Sequence, residues 1–504
     1  MRMAHFWEEL VVTNPWWQSK DRIKNDKKIE ELAQSRIKWD PRIRQKFNYN
    51  QDTVYSLRGP RQVGKTTLVK LQINEFLEKN VNPWNIMYYA FDIHNQPENL
   101  VDLIKTYFDT TKTLRSNSRC YLFLDEISSV REWQKGIKKL WDDNYLKNCT
   151  IVVTGSHTID LQRSSERLPG RRGEIEENDT YDKIFLPMKF SEYVSVMDED
   201  LKNLINKNFN RENRSKIFQS FLRNEIDQVV HESYVNISKL NQLLESYLIT
   251  GGIPKVIDEY IKNGRINQFV YNTYFQSIVG DMHSLDADEG IFRRLINHII
   301  NNFRYPFSYR EIQKNIDVGS SNTVERYINL LSSMFILTIL YHYDSTNKEK
   351  RPDKSKKILF HDPFFLHVLK SWLKPEDSFE VTMAYLSDEV NKGLLVEGLI
   401  GDHLIRLIFY LIQKKQMFDY SNYLFYWKDK NDYEVDYILY DGADILVPIE
   451  VKYRNGPIKR DEINGLINFK KVATVKNGIV ITKNELGISD EFVKIPASIF
   501  LLGI

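Results

Sequence analysis

The segment TVYSLRGPRQVGKTTLVKLQINEFLEKN, which starts at Thr53, constrains the fold of this chain more than any other. Residues Thr53–Leu57 alternate and are rich in β-branched and aromatic types, so they predict a strand. The run Gly59-Pro60-Arg61-Gln62-Val63-Gly64-Lys65-Thr66 then matches G-x-x-x-x-G-K-[ST] without departure, with Thr67 behind it. Glycines let backbone amides turn inward around phosphate oxygens, and the helix start adds free N–H groups and the positive end of its dipole. Lys65 is placed for the β- and γ-phosphates and Thr66 for Mg2+. Strand, glycine loop and helix in that order begin an α/β fold that binds a nucleotide.

Such a loop calls for a second strand ending in an acid. CYLFLDEISSV, from Cys120, supplies it: apolar residues carry Asp125 to the C-terminal end of a strand, where it joins the Mg2+ shell. Glu126 follows in position to polarise an attacking water as a general base. Further strands are expected at Asn85–Ile93, at Cys149–His157 and at Lys183–Met188. The second of these ends in Thr154-Gly155-Ser156, where Ser156 or Thr154 would sense the γ-phosphate. RSSERLPGRRGE brings Arg163, Arg167, Arg171 and Arg172 together. One of them, Arg171 by preference, would stabilise transition-state charge in cis or in a neighbouring subunit.

Composition sets outer limits. A chain of 504 residues with 42% hydrophobic and 27% charged residues is an ordinary globular mixture, with room for about three domains. The net charge of +2 gives no overall bias towards nucleic acid, so any basic surface has to be local. Two cysteines, Cys120 and Cys149, exclude a disulfide scaffold and a cysteine-based zinc site, and both adjoin apolar runs that suit core thiols. The first residues carry no sustained apolar run of the signal-peptide kind, and LIRLIFYLI is too short and too interrupted to cross a bilayer. A cytoplasmic protein without a membrane segment is the expectation.

The segments LRGPRQVGKTTLVK, LFLDEI, VVTGS, LPGRRGE and LPMKFSEYV together resemble the AAA-type ATPases of a large prokaryotic family best known from archaea. NPWW at Asn14–Trp17 resembles that family's N-terminal signature. Taken alone, Trp16 and Trp17 read as a buried aromatic anchor or as a stacking platform for adenine. The resemblance implies a parallel core sheet of order 5-1-4-3-2, ATP with Mg2+ as ligand, ATP hydrolysis, and a homo-oligomer in which an arginine acts in trans. It also implies a C-terminal extension of characteristic kind.

Beyond the core, apolar spacing of three and four predicts a helical lid over 196–290. Within it, Gly251-Gly252 and Pro254 mark a helix junction. FSYREIQKNIDVGSSNTVERYINLLSSMFILTILYHYD, from Phe307, reads as a winged helix occupying 291–350. Its first helix covers Ser308–Ile316, and Ser320 or Ser321 caps the second. Val324, Ile328 and Leu331 lie on one side of that second helix; Asn322, Thr323 and Arg326 lie towards the other, where a DNA reader would meet the major groove. The same module also serves protein contacts in ATPases. STNKEKRPDKSKK at 345–357 reads as a solvated basic loop or as a wing that touches phosphate.

In the tail from 351 to 504, KKILFHDPFFLHVL at Lys356–Leu369 reads as a strand, an Asp-Pro turn and a helix, and the chain then runs helix, hairpin, helix, strand. Glu397 lies near the start of a long amphipathic helix, Asp436 stands on the first hairpin strand, and Glu450 and Lys452 share one face of the second. Glu434 lies on the same face as Asp436 and is an alternative first ligand. Carboxylates of this kind ligate Mg2+ or Mn2+ through hard oxygens, and a neighbouring lysine positions water and offsets phosphate charge. A salt-bridged hairpin would need nothing further. The set resembles the restriction-endonuclease-like PD-(D/E)xK core: Glu397 matches its helix glutamate, Asp436 its aspartate, and Glu450 and Lys452 its Glu-x-Lys. The proline of that motif is absent. The resemblance implies a metal-dependent DNA nuclease with Asp436 and Glu450 as metal ligands.

The expected organisation is therefore an N-terminal segment (1–50), a P-loop core (51–195), a helical lid (196–290), a winged helix (291–350) and a nuclease-like α/β domain (351–504). The expected function is an ATP-hydrolysing DNA-processing protein coupled to a Mg2+-dependent nuclease, in repair, recombination or genome defence, acting on duplex or branched DNA. The alternatives are a nucleotide-gated DNA- or protein-binding switch and a branched-DNA motor, neither of which cleaves.

Overall fold

The computed structural model describes all residues except 1, 92–95, 156–167, 169–171, 174, 176–178, 285–287, 412–418, 441–444 and 490. The chain forms two compact units, Met1–Leu186, which holds the expected N-terminal segment and most of the P-loop core, and Pro187–Ile504, which holds the rest.

In the first unit, strands β1 (Thr53–Arg58), β2 (Ile86–Ala90), β3 (Cys120–Asp125), β4 (Cys149–Thr154) and β5 (Asp182–Ile184) form a parallel sheet of order β2-β3-β4-β1-β5. This is the expected 5-1-4-3-2 order. β5 stands earlier and shorter than Lys183–Met188, since the chain leaves the sheet once Phe185 N–H has donated to Arg58 O at 2.7 Å. The strands read as near-continuous apolar runs because both faces are covered. Helices Lys65–Glu78, Pro97–Thr110 and Trp133–Asp142 supply that cover through Leu68, Ile73, Leu103, Ile104 and Ile137.

The edge strand β2 would leave a row of unpaired backbone groups. Asn14 covers it, imitating a strand. Its Oδ1 accepts Tyr88 N–H at 2.7 Å and its Nδ2 donates to Tyr88 O at 2.9 Å. The indole N–H groups of Trp16 and Trp17 both donate to Ile86 O, at 3.2 and 2.9 Å. Trp17 stacks among Trp7, Trp84 and Tyr107. Trp16 is wholly buried and presents no face to a base, so the anchor reading of NPWW holds and adenine stacking does not.

The second unit opens with helices and closes on a mixed sheet. β6 (Leu337–Asp344), β7 (Glu349–Phe360), β8 (Leu424–Lys428), β9 (Glu434–Tyr440), β10 (Leu446–Lys452), β11 (Gly478–Thr482), β12 (Gly487–Ile488) and β13 (Phe492–Pro496) lie in the order β12-β13-β11-β10-β9-β8-β6-β7 among the described residues. Helices Tyr309–Asn315 and Ser321–Ser333 precede β6, capped by Ser308 and Ser320, whose side chains accept the N–H groups of Glu311 and Asn322. Val324, Tyr327, Ile328 and Leu331 are buried beneath the second helix, as its spacing predicts.

The reading of 345–357 as a loop needs correction. Only the turn before Glu349 is irregular; the rest is β7, antiparallel to β6 from Leu337↔Phe360 to Asp344↔Glu349. Its first half, residues 349–355, is charged and mostly exposed and shows no apolar alternation, whereas its last residues from Lys356 are the strand expected there. β6 in turn pairs with β8 in parallel, so the expected wing hairpin is part of the sheet that carries Asp436 and Glu450.

Candidate functional site

β1 delivers the chain to Gly59, which passes so close to the next strand that a Cβ there would lie 2.0 Å from Phe185 O. Gly64, at φ +106°, ends the loop in the left-handed region that glycine tolerates. Helix Lys65–Glu78 starts immediately, with no side-chain cap at Gly64, so its first N–H groups point into the loop as anion donors. Lys65 is buried, and its ammonium donates to Gly59 O and Pro60 O, both at 2.9 Å. The loop thus holds its cation over its own mouth.

Asp125 ends β3 beside this loop and is buried. Three hydroxyls converge on its carboxylate. Thr66 Oγ1 donates to Oδ2 at 2.7 Å, Tyr88 OH donates to Oδ2 at 2.9 Å, and Thr154 Oγ1 donates to Oδ1. Glu126 follows in the left-handed region at φ +50°, and its N–H donates to Thr154 Oγ1 at 3.3 Å. A non-glycine residue at such an angle is a local cost of the order of 1–3 kcal/mol, and it turns the chain sharply after Asp125. Thr66 hydroxyl and Asp125 carboxylate within one hydrogen bond of each other are the hard-oxygen pair that suits a nucleotide's Mg2+. Sequence patterning places Thr66, Asp125 and Thr154; it misses Tyr88, whose only signal is a polar tip on a buried strand next to β3.

Ser156, Arg163, Arg167 and Arg171 lie outside the described residues. Arg172 is described and serves the sheet: its guanidinium reaches Val54 O at 3.4 Å, Ser56 Oγ at 3.3 Å and Asp182 Oδ1 at 3.5 Å.

In the second unit, the four predicted tail positions come together. Helix Glu389–Leu411 brings Glu397, and its carbonyl accepts Tyr437 OH at 2.6 Å. Further along, Asp402 pins the same helix. Burial pushes its carboxyl up, but Arg406 Nε at 2.7 Å and His361 Nδ1 at 2.7 Å more than offset this and hold it at about 2. The ladder between β9 and β10 runs from Leu446↔Tyr440 to Ile449↔Tyr437 and stops there. Beyond it, Asp436 Oδ2 takes the N–H of Val451 at 2.8 Å, a hydrogen bond in place of ladder pairing. Glu450 and Lys452 project from the same face of β10 and are ion-paired.

Sequence reading misses Lys357 on β7. Its ammonium lies 2.8 Å from Glu397 Oε1, 2.7 Å from Glu434 Oε1 and 3.7 Å from Asp436 Oδ1, with the side chain only 3% exposed. Burial opposes its charge, and the three carboxylates overcome that opposition, holding it well above the usual lysine range. Burial, reinforced by Asp436, pushes the Glu397 carboxyl up to about 7 and that of Glu450 up to about 8. Glu450 Oε2 is a buried acceptor with no hydrogen-bond partner among the described residues. Among the described residues no three carboxylate, imidazole or thiol groups already converge on a common metal position. The chemistry of the donor set nevertheless suits a hard divalent cation: several carboxylates and one orphaned oxygen.

Asn322 and Arg326 are exposed on helix Ser321–Ser333, and Thr323 is half-buried beside them. The guanidinium of Arg326 lies 5.4 Å from the Tyr327 ring. Among the described residues, no helix is long and apolar enough to cross a membrane.

The loop, the acidic strand and the parallel sheet define a P-loop ATPase domain, and a family model described as an AAA domain matches residues 51–194. Two further models match, each described as a domain of unknown function: DUF8612 over residues 241–376 and DUF4143 over residues 392–500. Two curated proteins of Methanocaldococcus jannaschii are similar along most of the chain. Uncharacterized protein MJ1637 is 26% identical over 460 residues, covering 89% of this chain and 84% of its own. Uncharacterized protein MJ1544 is 22% identical over 400 residues, covering 78% and 73%. Among solved structures, the Walker-type ATPase Paby2304 of Pyrococcus abyssi aligns at a TM-score of 0.37 and 17% identity, over 69% of this chain and 95% of that one. The ORC1 protein of Aeropyrum pernix in complex with DNA aligns at 0.29 and 12%, over 73% and 97%.

Proposed function

We propose that this chain is an ATP-hydrolysing DNA-processing protein whose ATPase domain governs a metal-dependent nuclease-like site in the second unit. The observation that carries the reading is the convergence of Glu397, Asp436, Glu450 and Lys452 in a chain that also holds a complete phosphate loop. In the first unit, the backbone N–H groups of Gly59–Thr67, Pro60 excepted, cradle the phosphates and Lys65 leaves Gly59 O and Pro60 O for the β- and γ-phosphates. Thr66 and Asp125 hold the nucleotide's Mg2+, and Glu126 orients and polarises the attacking water. Thr154 or Ser156 reads the γ-phosphate, and Arg171 supplies transition-state charge, in cis or from a second copy in a homo-oligomer.

In the second unit, Asp436 and Glu450 are the residues that would hold Mg2+ or Mn2+, with Glu397 in support. A divalent cation there supplies Lewis-acid charge at a phosphodiester. Lys452 offsets phosphate charge and positions water, and the half-exposed face of Asn322, Thr323 and Arg326 contacts duplex or branched DNA.

A second reading, a nucleotide-gated switch or branched-DNA motor that does not cleave, is favoured by one observation: Lys357 already ion-pairs with Glu397 and Glu434 and lies 3.7 Å from Asp436. Linear, plasmid and junction DNA incubated with Mg2+ or Mn2+, with and without ATP, separates the readings. Scission lost in Asp436→Asn supports the nuclease, and Lys65→Ala shows whether ATP governs it. Intact ATP hydrolysis without scission in any condition leaves the switch or motor.

A further inference from the structure

Lys357 is the residue that the nuclease-like pattern does not absorb. It reaches the carboxylate cluster from β7, a different strand from those carrying Asp436 and Glu450. Its side chain is 3% exposed, whereas those of Glu397, Glu434 and Asp436 are 16%, 24% and 12% exposed. The ammonium therefore lies on the inner side of the cluster and the carboxylates on the outer. A buried ammonium is tolerated only when charge and hydrogen bonds meet it. Glu397 and Glu434 accept two of its protons, and Asp436 stands at 3.7 Å.

Charge then limits what else the cluster takes. Once an arriving cation displaces the protons that burial favours on Glu397 and Glu450, the carboxylates Glu397, Glu434, Asp436 and Glu450 carry four negative charges, and Lys357 and Lys452 carry two positive ones. The difference, four minus two, leaves two negative charges in a largely buried place. One acceptor there, Glu450 Oε2, is buried and has no hydrogen-bond partner among the described residues. A single divalent cation balances that excess and gives that oxygen a partner. Two such cations would leave the cluster with an equal excess of positive charge in low dielectric, which is costly.

We infer that this cluster takes one hard divalent cation, held by Asp436 and Glu450, and that Lys357 is a built-in second cation that supports Glu397, Glu434 and Asp436 from behind. Lys357 is thus a positioning residue that sets the metal stoichiometry. The inference rests on the reading that the cluster binds metal at all.

The test is Mn2+ binding to the full-length, nucleotide-free protein, with free Mn2+ counted by electron paramagnetic resonance. Ions of this cluster are those lost in the Asp436→Asn/Glu450→Gln double variant. The expected result is one such ion in the natural protein. Lys357→Met should add a second ion or tighten the first by about tenfold or more, since one positive charge leaves the site. Lys357→Arg keeps the charge and should bind one ion. Glu434→Gln, which removes a partly exposed carboxylate, should weaken Mn2+ by about tenfold and serves where Lys357→Met does not fold. Two cluster ions in the natural protein, or unchanged count and affinity in both Lys357→Met and Glu434→Gln, overturn the role given to Lys357 and leave the metal reading standing. No ion lost in the double variant overturns the metal reading itself, and the inference with it.

Discussion

Replacing His367 with glutamine should make the stability of the second unit respond differently to acid. His367 is wholly enclosed in helix Pro363–Trp372; its Nε2–H donates to Leu248 O at 2.8 Å, and Nδ1 has no partner among the described residues. Charging the ring would place a proton on Nδ1 with nothing to receive it. Burial accordingly lowers its pKa from 6.5 to about 4. The folded value is depressed, so the unfolded chain binds the extra proton between those two values. Stability from the neutral ring is present in full above about pH 6.5 and is lost as the pH falls towards 4. At about 1.4 kcal/mol for each tenfold change in proton affinity, the loss is on the order of 3 kcal/mol. Glu397 and Glu450, raised to about 7 and 8, act with the opposite sign, since their neutral forms stabilise the fold at low pH. They are common to both proteins and cancel in the difference. Urea unfolding followed by tryptophan fluorescence, at intervals from pH 4.5 to 7.5, gives that difference. The glutamine side chain keeps a donor for Leu248 O and cannot be charged. The stability gap between natural protein and His367→Gln should therefore shift in favour of the variant by about 3 kcal/mol on acidification. A gap that stays constant across this range refutes the argument.

Other perturbations test the rest of the structure. Lys65→Ala should abolish nucleotide binding in a fluorescent-ATP titration, whereas Glu126→Gln should bind ATP and lose about 100-fold or more in turnover, as expected of a missing general base. Asn14→Ala exposes the N–H and C=O of Tyr88 on the edge strand, and should lower the urea stability of the first unit by about 2–3 kcal/mol through lost hydrogen bonds to buried backbone. Arg326→Glu should weaken duplex DNA binding and reduce the slope of log affinity against log salt by about one, measured by fluorescence anisotropy. An unchanged slope would remove helix Ser321–Ser333 from the DNA interface.

Legibility in the sequence tracks the range of the interaction. The phosphate loop depends on contiguous residues: Gly59 and Gly64 are required by backbone shape, and Lys65 and Thr66 follow by position on a helix start. Asp125 is readable because an apolar run must end beside that loop. The caps Ser308 and Ser320 and the two faces of helix Ser321–Ser333 are readable for the same local reasons. The end of β7 is readable from Lys356 onward, but its first half, residues 349–355, escapes sequence reading because charged and mostly exposed residues leave no apolar alternation there.

What the sequence determined by itself was a P-loop α/β core with its glycine loop and acidic strand end, and a set of tail carboxylates spaced to share a face. Only tertiary structure decided that Tyr88 joins Asp125, that Asn14 closes the sheet edge 74 residues away, and that Lys357 enters the carboxylate cluster from a strand 77 residues before Glu434. The physical reason is that spacing along a chain fixes which side chains share a local face. The partner of a buried charge is chosen by whichever distant group can reach it and meet its desolvation cost.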